Sequence, residues 1–530
     1  MLGQDRHTKP ETVETGDIPR HATPFPLGRS LSLAATFLAV FTASKAFISL
    51  LFANEPATHP AAGFAGNAVR IYVEEITQML NSSKCLFPAA LFSLRNSLHK
   101  FPLQRYVLIL AFAVCVPAAS RAQLVVDCTN GTPGAFTSIN AALPSAGPGA
   151  FILVTGPCNE DVNLSNQSNL FLGAWYGTRA TVNGQISISD SHGVYLYGLN
   201  VSSATRSGIS ASSTQGLIID SCTSNGNAGN GLDLNGGSEA LIISPASFDN
   251  NNSGGINVFG NSIAQLTSWG GQPIDISNNR GPGVYAAQAS FLTFGHTTIA
   301  NNLAGTGSLS GFGVDLRGGA KAQFGAISGP NVVTGNQQGG VSLQETSEVS
   351  FWNGGSVNLI QNNGPVGVVA GFGSQVTFFT DVEVSGHSGP ALDLYANSQG
   401  YLFGANSLHN NGVAGDPRSA AIRVDGNSEA FLRGGLVSQN AGPAILALVN
   451  SSVDFAGVSF SSNTGGVIAC DSSAYMVSDL AAGSTTAPGV SCRMPHSLGN
   501  RSVTKLQPAV PDWSAMKALQ AKYMARASRK

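Results

Sequence analysis

The stretch Ser428-Glu429-Ala430-Phe431-Leu432 decides the reading, because close copies of it recur along the chain. Others are Ser238-Glu239-Ala240-Leu241-Ile242, Ser347-Glu348-Val349-Ser350-Phe351 and Ser374-Gln375-Val376-Thr377-Phe378. Thirteen registers begin at Ser168, Ser191, Thr214, Ser238, Ser262, Ala287, Ala320, Ser347, Ser374, Ser398, Ser428, Ser451 and Ser472, spaced 21 to 33 residues apart. Self-similarity at a period in the twenties is the signature of a stacked repeat.

Each unit has an internal order. A Gly-or-Ala-led β-branched strand comes first, as in Gly255-Ile256-Asn257-Val258 or Gly313-Val314-Asp315-Leu316. The Ser-x-Ala-x-Phe strand follows, then a third short strand and an asparagine corner such as Asn278-Asn279 or Asn362-Asn363. Apolar residues alternate, the period of a strand with one buried face. No unit holds a helix-length periodic stretch. One unit cannot bury its apolar side chains alone, so the chain is expected to wind each unit onto the last, with strands paired in parallel about 4.8 Å apart. The corners need left-handed backbone, which Gly adopts freely and Asn tolerates.

On these features the chain resembles the right-handed parallel β-helix (pectin-lyase-like) superfamily over about residues 124–492. The resemblance implies an all-β solenoid of about 13 coils with a short N-terminal capping helix. It implies little about activity, because such folds host many functions.

Charge divides the chain into three parts. Residues 1–122 hold 11 Lys+Arg against 7 Asp+Glu, residues 123–495 hold 9 against 21, and residues 496–530 hold 7 against 1. An acidic body disfavours nucleic acid, and also a polyanionic glycan unless metal ions bridge it. The sequence has no phosphate loop, Cys/His metal spacing or nucleotide fingerprint.

The leader carries two apolar runs. Residues 31–52 are long enough to span a membrane but contain Lys45. Residues 106–116 follow Lys84, Arg95, Lys100 and Arg105 and precede Ala119-Ser120-Arg121-Ala122. That order reads as a signal peptide cut after Ala122, with Met79 as an alternative start and residues 31–52 as an alternative anchor. Export to the cell surface or beyond would let cysteines pair. Cys128 with Cys158 would staple the first coil and Cys470 with Cys492 the last, leaving Cys222 in the interior. Residues 508–530 place Trp513, Met516, Gln520 and Tyr523 on one helical stripe among basic residues. They read as a cover for the last coil or, with residues 31–52, as a route to membrane contact.

Ends of a stack need caps. Residues 136–144 suit one: Thr137 or Ser138 as N-cap, Phe136, Ile139 and Leu143 on one face, and Pro144 as stop. Glu160, in the turn after the entry strand, reads as a structural acceptor.

The residue between the two inward positions of each Gly-led strand points outward. This column reads Ser210, Asp233, Asn257, Tyr285, Asp315, Ser342, Val369, Asp393 and Arg423. Two residues on stand Arg317, Gln344, Gly371, Tyr395 and Asp425. The two longest units carry their extra residues at 304–311 and 413–419, just before this face. They would wall a shallow groove over Asp315, Ser342, Gln344, Tyr395 and Arg423, suited to an extracellular or cell-wall polysaccharide.

Asp393 and Asp425 are the candidate catalytic carboxyls, about 8 Å apart by strand geometry, in the inverting range. Arg423 lies across from Asp393 and is expected to pair with it and lower its pKa, which suits a base but not an acid. Polygalacturonase, pectin methylesterase and pectate lyase signatures are absent: Gly386-His387-Ser388 and Gly295-His296-Thr297 do not match, and His387 replaces a corner Asn. No cofactor is evident; a lyase would bring Ca²⁺, for which the sequence offers no support. The favoured expectation is an exported, non-catalytic β-helix that binds or displays at the surface. The alternatives are a polysaccharide-degrading enzyme using the Asp393 face, and an adhesin-like spacer.

Overall fold

Every second side chain of the short strands is buried, and that alternation builds the fold. In Glu429–Arg433, Ala430 and Leu432 point in while Glu429, Phe431 and Arg433 point out. The computed structural model describes residues 123–478, apart from 176–177, 269–270, 306–309, 327, 353 and 417–418, together with Cys492. The expected leader (1–122) and tail (496–530) lie outside the described residues.

The strands form parallel sheets on three faces, wound in about 14 right-handed turns. A 15-stranded sheet runs from Gln123–Asp127 to Tyr475–Ser478 and carries the Ser-x-Ala-x-Phe strands. A 13-stranded sheet runs from Val162–Ser165 to Ile468–Cys470 and carries the Gly-led strands. The third face is a 4-stranded and an 8-stranded sheet. A single apolar column fills the interior. Phe294, Phe324 and Phe351 stack in it at centroid distances of 4.3 and 4.7 Å.

Like stands over like in the polar positions too. Most of the serines that open the repeat are buried, and Ser191, Ser238, Ser262, Ser374 and Ser428 accept an N–H from the coil before, as Ser428 Oγ does from Ser398 N at 3.1 Å. At one corner the asparagines form a ladder. Asn302 Nδ2 donates to Asn336 Oδ1 at 2.8 Å, and Asn336 Nδ2 to Asn363 Oδ1 at 2.8 Å. The ladder resumes with Asn411 and Asn440. His387 occupies the rung between, 2 % exposed, its Nε2 3.1 Å from the Ile360 carbonyl, as a structural residue would be. Burial holds its pKa below the ordinary 6.5.

The caps follow the sequence. Ser138 Oγ accepts from Ala141 N at the start of the Ile139–Ala142 helix, and Glu160 accepts from Ile139 N and Asn140 N at 2.6 and 3.1 Å. Cys128–Cys158 and Cys470–Cys492 are disulfides, and Cys222 is free and buried.

Four registers differ from expectation. Ser168 lies beside His192, not Ser191. The segment read from Ala287 begins at Ser290, since Ile263 pairs with Phe291. The last begins at Ala474, since Ser452 pairs with Tyr475. The units starting at Ser290 and Ser398 are therefore both 30 residues long, as Phe291 pairs with Lys321 and Gln399 with Glu429. In the unit beginning at Thr214 the strand also slips by one residue, so Leu217 and not Gly216 pairs with Ala240.

Candidate functional site

The outward column forms as read. Tyr285 pairs with Asp315, Asp315 with Ser342, Ser342 with Val369, Val369 with Asp393, and Asp393 with Arg423. The two long loops flank it. Gln337 Oε1 accepts from Ala304 N at 2.7 Å and Gln338 Oε1 from Gly311 N at 3.0 Å, so the next coil holds the first loop. The second closes on itself through Ser419 Oγ and Val413 N at 2.9 Å. Between them lies an open groove of about 850 Å³. Ser342, Gln344, Val369, Asp393, Tyr395 and Arg423 all line it, with Ser310 and Asp416 contributed by the loops.

Tyr395 organises the floor. Its ring lies over Gly371, where a Cβ would come within 2.3 Å of Tyr395 Cζ. Any larger residue at 371 would displace the ring. Across that glycine the Tyr395 hydroxyl donates to Gln344 Oε1 at 3.0 Å, joining two coils that are not neighbours. Phe372, 59 % exposed, meets the Tyr395 ring edge-on at 5.6 Å. Phe372 and Phe312 are groove residues that the column reading missed. Phe372 was detectable in Gly371-Phe372-Gly373, an aromatic between glycines at a corner, and it takes a φ of 54° there.

Asp315 is not on the groove surface. Its carboxylate is 1 % exposed, bonded to Ser310 Oγ at 2.8 Å and to Arg317 at 3.0 and 3.3 Å. Its role is to hold the first loop and to aim Arg317. The loop hydroxyl that covers it lies five residues before it in sequence, outside the strand pattern.

The carboxyl pair also departs from expectation. Arg423 makes its close bond to Asp425, at 2.7 Å, and stands 3.6 Å from Asp393. The side chain two residues on, just past the end of the Ile422–Val424 strand, reaches the guanidinium better than the cross-strand partner. Burial therefore dominates at Asp393 and pushes its pKa up, with Arg423 opposing and Asp425 reinforcing. The direction is the reverse of the sequence expectation and suits an acid. Asp393 Oδ1 and Arg423 Nε are both buried without a hydrogen-bond partner. Both carboxyls lie against the Arg423 guanidinium, a cation that an acid and base acting through a water would have beside them.

Comparison with known proteins follows the fold. The family model described as "Right handed beta helix region" matches residues 158–269 and 184–354. No curated protein matches the sequence. Solved structures similar to this chain include the pectate lyase Pel9A (13 % identity, TM-score 0.39, covering 52 % of this chain and 78 % of that one). The Agl-KA catalytic domain is also similar (13 %, 0.35, 68 % and 70 %). So is the A-module of the Azotobacter vinelandii mannuronan C-5 epimerase AlgE6 (13 %, 0.32, 65 % and 93 %). The matched segment, residues 158–354, lies within the described winding, and the fold of the chain is a right-handed parallel β-helix.

Proposed function

We propose that the chain is an exported, non-catalytic binding protein whose groove holds a polysaccharide. The observation that carries this is the Tyr395 floor: an aromatic ring fixed over Gly371, its hydroxyl tied to Gln344, beside the exposed Phe372. A rigid aromatic with amides alongside offers both an apolar face and hydrogen bonds to a sugar chain. Four strand spacings, about 19 Å, separate the coils of Arg317 and Arg423, enough length for several sugar units. The two disulfides fit an oxidising compartment, which favours export.

One observation favours a second reading, a polysaccharide-degrading enzyme. Burial raises the Asp393 carboxyl, as a general acid requires. Against it stands the Arg423 guanidinium, which contacts both carboxyls. A panel of neutral and uronic polysaccharides, assayed for binding and for new reducing ends with wild type, Asp393→Ala and Asp425→Ala, separates the two. Binding without turnover supports the binding protein. Turnover lost in both variants supports the enzyme. Neither binding nor turnover leaves the spacer.

A further inference from the structure

The groove has a direction. Its first wall follows one strand: Ser310 folds down onto Asp315, Oγ to Oδ2 at 2.8 Å, over the Phe312–Leu316 strand, and Arg317 continues the wall just past the strand end. Its second wall is the Arg423–Asp425 pair, bonded at 2.7 Å, with Asp416 of the second loop lining the groove. The three coils between the walls carry Ser342, Val369 and Asp393 in one outward column. A trough between two walls that each follow a strand runs parallel to the strands, across the axis of the solenoid.

The aromatic side chains mark the same line. At the start of the strands Phe312 leans forward onto Gly339 of the next coil, where a Cβ would collide with its ring, and Val366 closes on the same spot. At the far end of the strands Tyr395 leans back onto Gly371, with Phe372 edge-on to it. The two glycines lie on adjacent coils. Ser342 pairs with Val369, which sets Gly371 beside Gln344, five residues on from Gly339. At the rise of a strand the two aromatic seats are about 16 Å apart. Between them the floor carries Ser342 and Val369, both short. Along the axis, by contrast, a chain crossing the first wall would next meet Tyr285, the outward neighbour of Asp315.

We propose that the groove binds its glycan along the strands, with one sugar against Phe312 and another against Tyr395 and Phe372. This rests on the groove being a glycan site. It adds a path, a second aromatic seat and a minimum ligand length. Both directions are long enough for a sugar chain; the walls and the seats choose one. Each ring offers an apolar face to a sugar. One chain that reaches both seats gains affinity through the high effective concentration of its second end, so binding should tighten with length until both are spanned.

The test titrates the whole protein with glucose, mannose and galacturonate oligosaccharides, each from monomer to hexamer, and reads the ratio of hexamer to dimer affinity. In wild type that ratio is expected to be at least about tenfold. Phe312→Ala is expected to bring it close to one. Phe372→Ala, at a side chain 59 % exposed and therefore outside the core, is expected to lower it several-fold. Phe312→Leu keeps bulk and loses the ring, and gives the same reading should Phe312→Ala fail to fold. Tyr285→Ala is expected to keep the wild-type ratio. A ratio near one in wild type overturns the two-seat path and leaves the groove reading standing. So does a ratio lost in Tyr285→Ala and kept in the phenylalanine variants, which would mark an axial ligand. Binding in none of the three series overturns the groove reading and the path together.

Discussion

The hydroxyl of Tyr395 donates to Gln344 Oε1 at 3.0 Å, bridging residues 51 apart in sequence that the winding brings to one face. Gly371 makes this possible, because the coil between them presents no side chain. The bond orients a ring in the groove floor, so its loss should be felt in binding more than in folding. Tyr395→Phe is expected to lower stability by no more than about 1 kcal/mol and glycan affinity several-fold. Denaturant unfolding and titration on the same preparation check both.

Asp393 gives a pH signature. Its folded pKa lies above the ordinary value of 3.8, so its contribution to stability is fully present below that value. That contribution is lost as pH rises through the raised one. Asp393→Asn removes the titration. The variant should gain stability relative to wild type as pH rises from about 4 toward neutrality. Unfolding midpoints of the two proteins across that range should diverge; parallel curves would show that Arg423 neutralises Asp393 after all.

The asparagine ladder offers a matched pair of tests. Asn336 is fully buried, donates to Asn363 Oδ1 and the Ile299 carbonyl, and accepts from Asn302. Asn336→Ala leaves buried donors and an acceptor unpaired, at about 1–3 kcal/mol for each group. His387→Asn restores a rung. His387 has a folded pKa below 6.5, so the protein loses stability as pH falls below that value, while the unfolded chain takes up a proton that the folded one refuses. His387→Asn is expected to flatten that acid limb, which thermal melts from neutral to mildly acidic pH would reveal.

Much of this face was legible from residue order. The column from Tyr285 to Arg423 follows from a two-residue period in strands that begin with Gly or Ala, and the sheet register repeats it pair by pair. The errors have local causes. Ala287-Gln288-Ala289 resembles the start of a repeat strand, but its carbonyl at Ala287 accepts from Ser290 Oγ, and Ser290 is the true first residue. The direction of the Asp393 pKa shift differs from expectation because strand pairing gives its neighbour without giving the depth of burial or the rotamer by which Arg423 turns to Asp425. Asp315 looked exposed because nothing in the repeat announces that Ser310, from the loop before it, folds down over its carboxylate.

The end staples should act locally. Cys128–Cys158 closes 30 residues and Cys470–Cys492 closes 22. On the chain-entropy account each contributes about 3–4 kcal/mol. In a solenoid each coil contacts only its neighbours, so reduction is expected to fray the terminal coils first. Hydrogen exchange after mild reduction should speed up at Gln123–Asp127 and Tyr475–Ser478 while the central coils stay protected. Uniform loss of protection would instead mark a single cooperative unit.

The most direct test of the groove is the glycan affinity of Gly371→Ala beside that of Lys321→Ala, measured by titration with the same ligand. Position 371 lies under the Tyr395 ring, whereas Lys321 forms an exposed ion pair with Glu348 on the sheet of Ser-x-Ala-x-Phe strands. The account expects at least about a tenfold loss for Gly371→Ala, since the ring must leave its seat, and wild-type affinity for Lys321→Ala. Wild-type affinity in Gly371→Ala, with its fold intact by circular dichroism, would contradict it.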